Sequence, residues 1–216
     1  MAHPEQHVFF GQLKTLDPKY FERVKVGEVG SLNINGSVRG FFDDCAYTGF
    51  DVGAGPGVDE VTQGQLVGLP TGHFDTLVSA ECFEHNPFWV ETFANMLRMT
   101  RPGGLVAFSC ASTGRPEHGT ARTSPNLSPL THAQGWDYYR NLDADDFMNT
   151  FHLQGWFDYF HFLYCPRMFD LYFYGFRKGG TQEIRVEPAR MLVALHQKIS
   201  AVRLACWAPA LGLLRG

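Results

Sequence analysis

Short apolar runs separated by glycine turns and helix-spaced segments recur along this chain, and they restrict it to an α/β architecture more than any other feature does. Lys25 to Gly30 predicts a short buried strand ending in a turn, and Asn35 to Phe42 the helix that follows it. Ala46 to Val52 predicts a second strand with Asp51 at its carboxyl end, and Gly53-Ala54-Gly55-Pro56-Gly57 is a loop. Val58 to Val61 reads as a third strand, Phe74 to Ser79 as a fourth and Leu105 to Cys110 as a fifth. Between the last two, Trp89, Val90, Phe93, Met96, Leu97 and Met99 have helical spacing, closed by Arg101-Pro102-Gly103-Gly104. Near-continuous apolar strands suit a parallel sheet covered on both faces. The expected fold is therefore Rossmann-like: a doubly wound, mostly parallel sheet with helices on both faces.

The flanks extend this frame. Residues 1 to 23 read as a helical lead-in broken at Asp17-Pro18. Trp156 to Leu163 and Asp170 to Arg177 read as a terminal antiparallel pair, and Asp143-Ala144-Asp145-Asp146 opens a helix before them. Residues 111 to 135 are rich in Thr, Ser, Pro, Gly and His and too long for a routine connection, which marks a lid or an insert, taken as about 111–140. Aromatic residues crowd the region after Gly135, as expected of a large aromatic core. From Pro188 to Trp207, Met191, Leu192, Leu195, Ile199, Val202 and Leu204 predict an amphipathic helix that could dock on its own domain or on a second copy. The expected organisation is a domain over 1–180 and a helical tail over 181–216.

Composition excludes several classes. With 18 basic and 22 acidic residues the net charge is −4, too little positive charge for general attraction to nucleic acid. The five cysteines, Cys45, Cys82, Cys110, Cys165 and Cys206, form no C-x-x-C pair, so neither a disulfide framework nor a metal site is expected. No basic leader and no run of 18 apolar residues occurs, so a cytoplasmic protein without an integral membrane span is expected.

In doubly wound sheets ligands sit beyond the carboxyl ends of the strands. Glu28-Val29-Gly30-Ser31, Asp51 and Ser79-Ala80-Glu81 occupy three such ends. Asp51 follows Glu28 by 23 residues, near the spacing at which a second-strand carboxylate accepts hydrogen bonds from a ribose. A dinucleotide and an adenosyl ligand both fit that placement. Gly30-Ser31-Leu32-Asn33 lacks the G-x-G-x-x-G that a pyrophosphate requires, which disfavours NAD and FAD.

The ordered set VGEVGSLNING, YTGFDVGAGPGVDEV, GLPTGHFDTLVSAECFEHNP and MLRMTRPGGLVAFSC, over residues 24 to 112, resembles the class I S-adenosylmethionine-dependent methyltransferases, in particular small bacterial type-11-like members. The resemblance implies S-adenosyl-L-methionine as cofactor, with Glu28, Gly30 and Ser31 at its methionine half and Asp51 at the ribose. It further implies Val52 against the adenine and Ser79, Ala80 and Glu81 closing the methionine side. Two positions depart from the pattern: Leu32 stands where a glycine is frequent, and Gln63 where many members carry an acid near the adenine amino group, a contact that its amide carbonyl can still accept.

For acceptor chemistry, the Glu84-His85 and Glu117-His118 pairs follow strands four and five. His118, Glu117 and His85 are the acid–base candidates, because imidazole titrates near neutrality. Arg115, Arg122, Tyr138, Tyr139 and Arg140 are candidates for holding an anionic or sugar acceptor. The expected activity is methyl transfer to a small molecule or saccharide, at a hydroxyl. Transfer to nitrogen or carbon, and a catalytically silent binding protein on the same fold, remain as alternatives.

Overall fold

A computed structural model describes residues 4–180. Seven strands form one sheet in the order β3-β2-β1-β4-β5-β7-β6: β1 Lys25–Val29, β2 Ala46–Asp51, β3 Glu60–Val61, β4 Phe74–Ala80, β5 Thr100–Ala111, β6 Phe157–Cys165 and β7 Asp170–Arg177. The first five are parallel, and β7 enters antiparallel between β5 and β6. Five helices accompany them: α1 Pro4–Leu16, α2 Trp89–Met99, α3 Pro129–Ala133, α4 Ala144–Thr150 and α5 Leu153–Trp156.

Successive strand residues face opposite sides, so the sheet carries two cores. On one side Val106, Phe108, Leu171 and Phe173 pack with α2 and α4 through Phe93, Met96, Leu97 and Phe147. On the other, Leu105, Ala107, Tyr172 and Tyr174 meet Phe9, Phe10 and Leu13 of α1, together with Tyr20 and Phe21. The aromatic crowding after Gly135 thus resolves into core. Phe108 is its hub: its ring stacks on Phe173 at 5.0 Å and lies 4.7 Å from Phe147, 5.0 Å from Phe83 and 5.5 Å from Phe93.

The helix expected over 35 to 42 does not form; that stretch holds only a 3-10 turn at Arg39–Phe41. Its short polar side chains take the backbone donors a helix would need: Asn33 Oδ1 accepts from Gly36 N at 2.9 Å and Ser37 Oγ from Arg39 N at 3.1 Å. Gly36 and Gly40 add the entropic penalty of glycine in a helix. β3 is likewise shorter than expected, with two residues. The opening of α4 follows its acidic pattern, with a reciprocal capping box between Asp143 and Asp146. The tail expected over 181–216 lies outside the described residues.

The insert after β5 contains a 3-10 turn at Pro125–Leu127 and then α3. Ser112 N bonds Phe169 O at 2.7 Å, and Arg115 Nη1 bonds Met168 O at 2.6 Å and Asp170 Oδ1 at 3.1 Å, which ties the start of the insert to β7. At its far end Gln134 Nε2 donates to Val52 O at 3.0 Å, reaching across to the loop after β2.

Truncating the hub should be costly: Phe108→Ala is expected to lose about 3–5 kcal/mol in urea denaturation. Met148→Ala, at a side chain 45% exposed, should change stability by less than about 1 kcal/mol in the same assay.

Candidate functional site

Strand order reverses between β1 and its two neighbours, β2 and β4, and the space beyond their carboxyl ends is where such sheets bind ligands. There β1 runs into a turn at Gly30, whose φ is +79°. A side chain at that position would meet Cys82 Cβ at 2.5 Å, so glycine alone lets the turn pass the end of β4. Gly30 N and Ser31 N both donate to Phe50 O, at 2.9 and 3.2 Å, drawing the turn against β2.

Asp51 ends β2 with its carboxylate aimed into this space. Oδ2 accepts from Leu32 N at 2.9 Å and Oδ1 from Val52 N at 2.8 Å. Burial raises its pKa, while the two amides oppose the rise. The departure at Leu32 has a structural counterpart: a side chain on Gly55 would come within 2.3 Å of Leu32 Cδ1. A glycine missing from the first turn is matched by one in the second, and Leu32 fills the room it leaves.

Two adjoining clefts, open to solvent, lie here. Gly30, Asp51, Cys82, His85 and Thr131 line both. Glu81, Leu32, Ile34 and Leu130 border the first; Val52, Thr62, Gly64 and Trp136 border the second. Of the residues expected at the cofactor, Gly30, Asp51, Val52 and Glu81 therefore meet in one place. Glu81 is held there with φ +51°, its amide bonded to Ser109 O at 3.0 Å.

Others among the expected residues stand behind this wall. Ser79 Oγ donates to Val29 O at 2.8 Å, locking β4 to β1, and Ala80 packs in the core on the α1 side. The hydroxyl of Ser31 is buried without a hydrogen bond. Gln63 turns its amide to Gln65 at 2.7 Å, leaving Thr62 and Gly64 to line the cleft. Glu28 is buried and accepts from Tyr47 Oη at 2.7 Å. Burial lifts its pKa to about 7, with the Tyr47 hydrogen bond pulling the other way.

The acceptor-side candidates divide similarly. His85, His118 and Tyr139 form a ring cluster, with centroids 4.9 Å apart for the two histidines and 5.5 and 5.0 Å from each to the tyrosine. Burial, then the neighbouring His118, pushes His85 down to about 3; burial also lowers His118. Beside them Glu84 is fully buried, and burial and the nearby Asp170 lift it to about 7. Glu117 instead faces solvent, bonded by Thr120 at 2.7 Å and Arg122 at 3.0 Å. Arg115 serves the buried carboxylate of Asp170, Arg140 pairs with Asp146, and Tyr138 hydrogen-bonds Arg140. Tyr139 Oη donates to Asn141 Oδ1 at 2.7 Å.

Sequence reasoning passed over Cys82, Leu130, Thr131 and Trp136. Cys82 sits between Glu81 and the Glu84-His85 pair and could have been found from its place at a strand end. The three insert residues carry no local signal; α3 brings them over the cleft through Gln134 and through Leu130, which packs where Gly53 has no side chain.

Two substitutions test these assignments. Because folded Glu28 holds a proton that the unfolded chain has released, its burial destabilises the fold progressively as pH rises from about 4.5 to 7. Glu28→Gln should therefore gain on the wild type by about 3 kcal/mol across that window, read from paired denaturation curves. Arg115→Ala leaves Asp170 charged in the core and is expected to cost about 3 kcal/mol, which denaturation of the ligand-free protein would register.

Comparison with known proteins bears on the fold. Residues 50–108 match a family profile described as a methyltransferase domain, and no curated protein sequence matches the chain. Among solved structures, the chain is similar to Burkholderia thailandensis 1,6-didemethyltoxoflavin-N1-methyltransferase, solved with its substrate and S-adenosylhomocysteine: TM-score 0.53 at 12% identity, covering 83% of this chain and 92% of that one. It also resembles the CurJ carbon methyltransferase, with TM-score 0.57, 12% identity and coverage of 82% and 56%. A third is Haemonchus contortus phosphoethanolamine N-methyltransferase 2, with TM-score 0.52, 12% identity and coverage of 78% and 52%. The chain spans about half the length of the last two. Residues 50–108 thus match a methyltransferase domain, and the seven-stranded sheet has the fold of these methyltransferase structures.

Proposed function

We propose that this protein transfers the methyl group of S-adenosyl-L-methionine to a hydroxyl of a small molecule or saccharide. The observation that carries the reading is Asp51, whose carboxylate lines both clefts at the switch point of the sheet. Each of its oxygens accepts one backbone bond and keeps a further acceptor position, which suits the two hydroxyls of a ribose. Leu32 and the close Gly30 turn leave no pyrophosphate-binding glycine pair. In this reading Glu81, on the β4 side of the first cleft, meets the amino end of the ligand, and Val52, Thr62 and Trp136, which line the second, meet the adenine.

When bound, the cofactor supplies an electrophilic methyl on a sulfonium, so the protein's task is mainly to hold the acceptor in line and keep water out. α3 and Trp136 cover the cleft and serve the second purpose. His85 and His118 are neutral at pH 7 and can accept a hydroxyl proton at a ring nitrogen, though their lowered basicity leaves positioning the larger share. Tyr138, Tyr139, Arg122 and Arg140 stay the proposed acceptor contacts, supported for Tyr139 by its ring contacts with His85 and His118. Among the described residues no helix is long and apolar enough to cross a membrane, and a cytoplasmic setting is part of the proposal. So are a catalytic unit over 1–180, with the insert at 111–140 as acceptor lid, and a tail over 181–216 that pairs two copies.

Calorimetric titration with S-adenosyl-L-methionine and S-adenosylhomocysteine tests the reading: both should bind and NADH should not. Asp51→Ala should weaken the two adenosyl ligands by about 1–3 kcal/mol, roughly 5- to 150-fold. Unchanged affinity in that variant would remove Asp51 from the site.

A further inference from the structure

The side chains of Glu84, His85 and His118 bring one ligand atom each to within 4.8 Å of one another, at the junction of β4, the insert and the first cleft. Glu84 is the least expected of them. It is completely buried beside an aromatic core, and neither carboxylate oxygen has a well-formed hydrogen bond, with only the amides of Glu84 itself and Ala111 near enough to offset part of the burial. A carboxylate costs several kcal/mol to bury in that condition, so Glu84 either keeps its proton or takes a cationic partner. Arg115, the nearby cation, is already engaged by Asp170 and Met168 O.

Both histidines are oriented by backbone carbonyls. His118 Nδ1 lies 3.1 Å from Pro116 O, and donation to that carbonyl leaves Nε2 as a bare acceptor. His85 hydrogen-bonds the backbone of Tyr138, and its Nδ1 is buried with no partner, so that bond falls on Nε2 and the Nδ1 lone pair is free. A ring fixed by a carbonyl on one nitrogen and bare on the other is the outer-sphere arrangement of metal-ligating histidine.

We propose that Glu84, His85 and His118 form a binding site for one divalent first-row transition cation, with zinc as the reference occupant. Two imidazoles and one carboxylate are the donor set of catalytic zinc centres that keep a position open. Around such a cation, ligand atoms lie about 3.4 Å apart at bond lengths near 2.1 Å, so the cluster closes by on the order of 1 Å, within the reach of side-chain rotation on the insert. The donor set disfavours magnesium, which prefers oxygen ligands. The proposal departs from the sequence-based expectation of no metal, which rested on cysteine spacing. It does not depend on the methyl-donor reading. If both hold, the imidazole lone pairs are spent on the cation, and lowering the pKa of an acceptor hydroxyl becomes the cation's task.

The test uses the full-length, untagged protein stripped with a chelator, titrated with zinc chloride by calorimetry and with cobalt(II) by visible absorption. Zinc is expected to bind with micromolar or tighter affinity at about one ion per chain, and cobalt to give the intense bands of a low-coordinate site. Glu84→Gln and His118→Ala should each weaken zinc at least tenfold and alter the cobalt spectrum. No binding by the wild type, or binding that neither variant weakens, would overturn the proposal and mark an adventitious ion only; magnesium binding as tight as zinc would overturn the transition-metal assignment. Should Glu84→Gln fail to fold, His118→Ala decides, because His118 is only half buried on the insert. A parallel titration with S-adenosyl-L-methionine separates the two readings: adenosyl binding without zinc defeats only the cation site, and zinc binding without the adenosyl ligand defeats only the methyl-donor reading.

Discussion

The carboxyl ends of β1, β2 and β4 are clamped to one another by a few short hydrogen bonds, and the candidate site depends on them. Gly30 N and Ser31 N share Phe50 O, Leu32 N reaches Asp51, and Ser79 Oγ holds Val29 O. These bonds set the depth of the first turn between its neighbours. Cys82, pressed against the bare α-carbon of Gly30, closes the remaining space. The geometry of Asp51 follows from this clamp: a carboxylate at the end of a free strand would be solvated, whereas here two amides orient it toward the clefts.

Beneath the clamp the two cores differ in chemistry. The α2 and α4 side is dense with phenylalanine around Phe108 and supports the Glu84-His85 turn from below through Phe83. That support is what buries Glu84 and makes its ionisation costly. The α1 side is richer in tyrosine, with Tyr20 Oη bonded to Gly103 O at 2.8 Å, so its polar tips stay satisfied at the sheet's other end. Ser31 Oγ and the carboxyl group of Glu84, both buried without well-formed hydrogen bonds, lie near the carboxyl ends of the strands.

The insert converts an open sheet edge into a cleft. Arg115 anchors its start to Asp170 and Gln134 anchors its end to Val52 O, so the segment crosses the strand ends rather than trailing into solvent. His118, Thr131 and Trp136 all owe their positions to this crossing. The same path explains why some acceptor-side candidates share the site while others do not: Arg115 and Arg140 are spent on carboxylates that fix the fold, whereas Tyr139 and His118 turn toward His85.

Much of the frame was legible from the chain alone. The near-continuous apolar strand runs, the α2 stripe, the Asp143 cap and the antiparallel end are local patterns, readable because each is dictated by neighbours a few residues away. The same is true of the place of Asp51, which follows from its being the last residue of a strand. The expected helix after β1 failed because Asn33 and Ser37 capture nearby amides, a local competition that apolar spacing does not register. What only the tertiary structure decided is which polar residues meet: that Glu28 faces Tyr47 rather than a cleft, that Leu32 fits because Gly55 yields to it, and that Glu84 and His85 come together with His118 from 33 residues further on. Those contacts join segments remote in sequence, and their energies arise from burial and mutual distance, neither of which a residue's own neighbours specify.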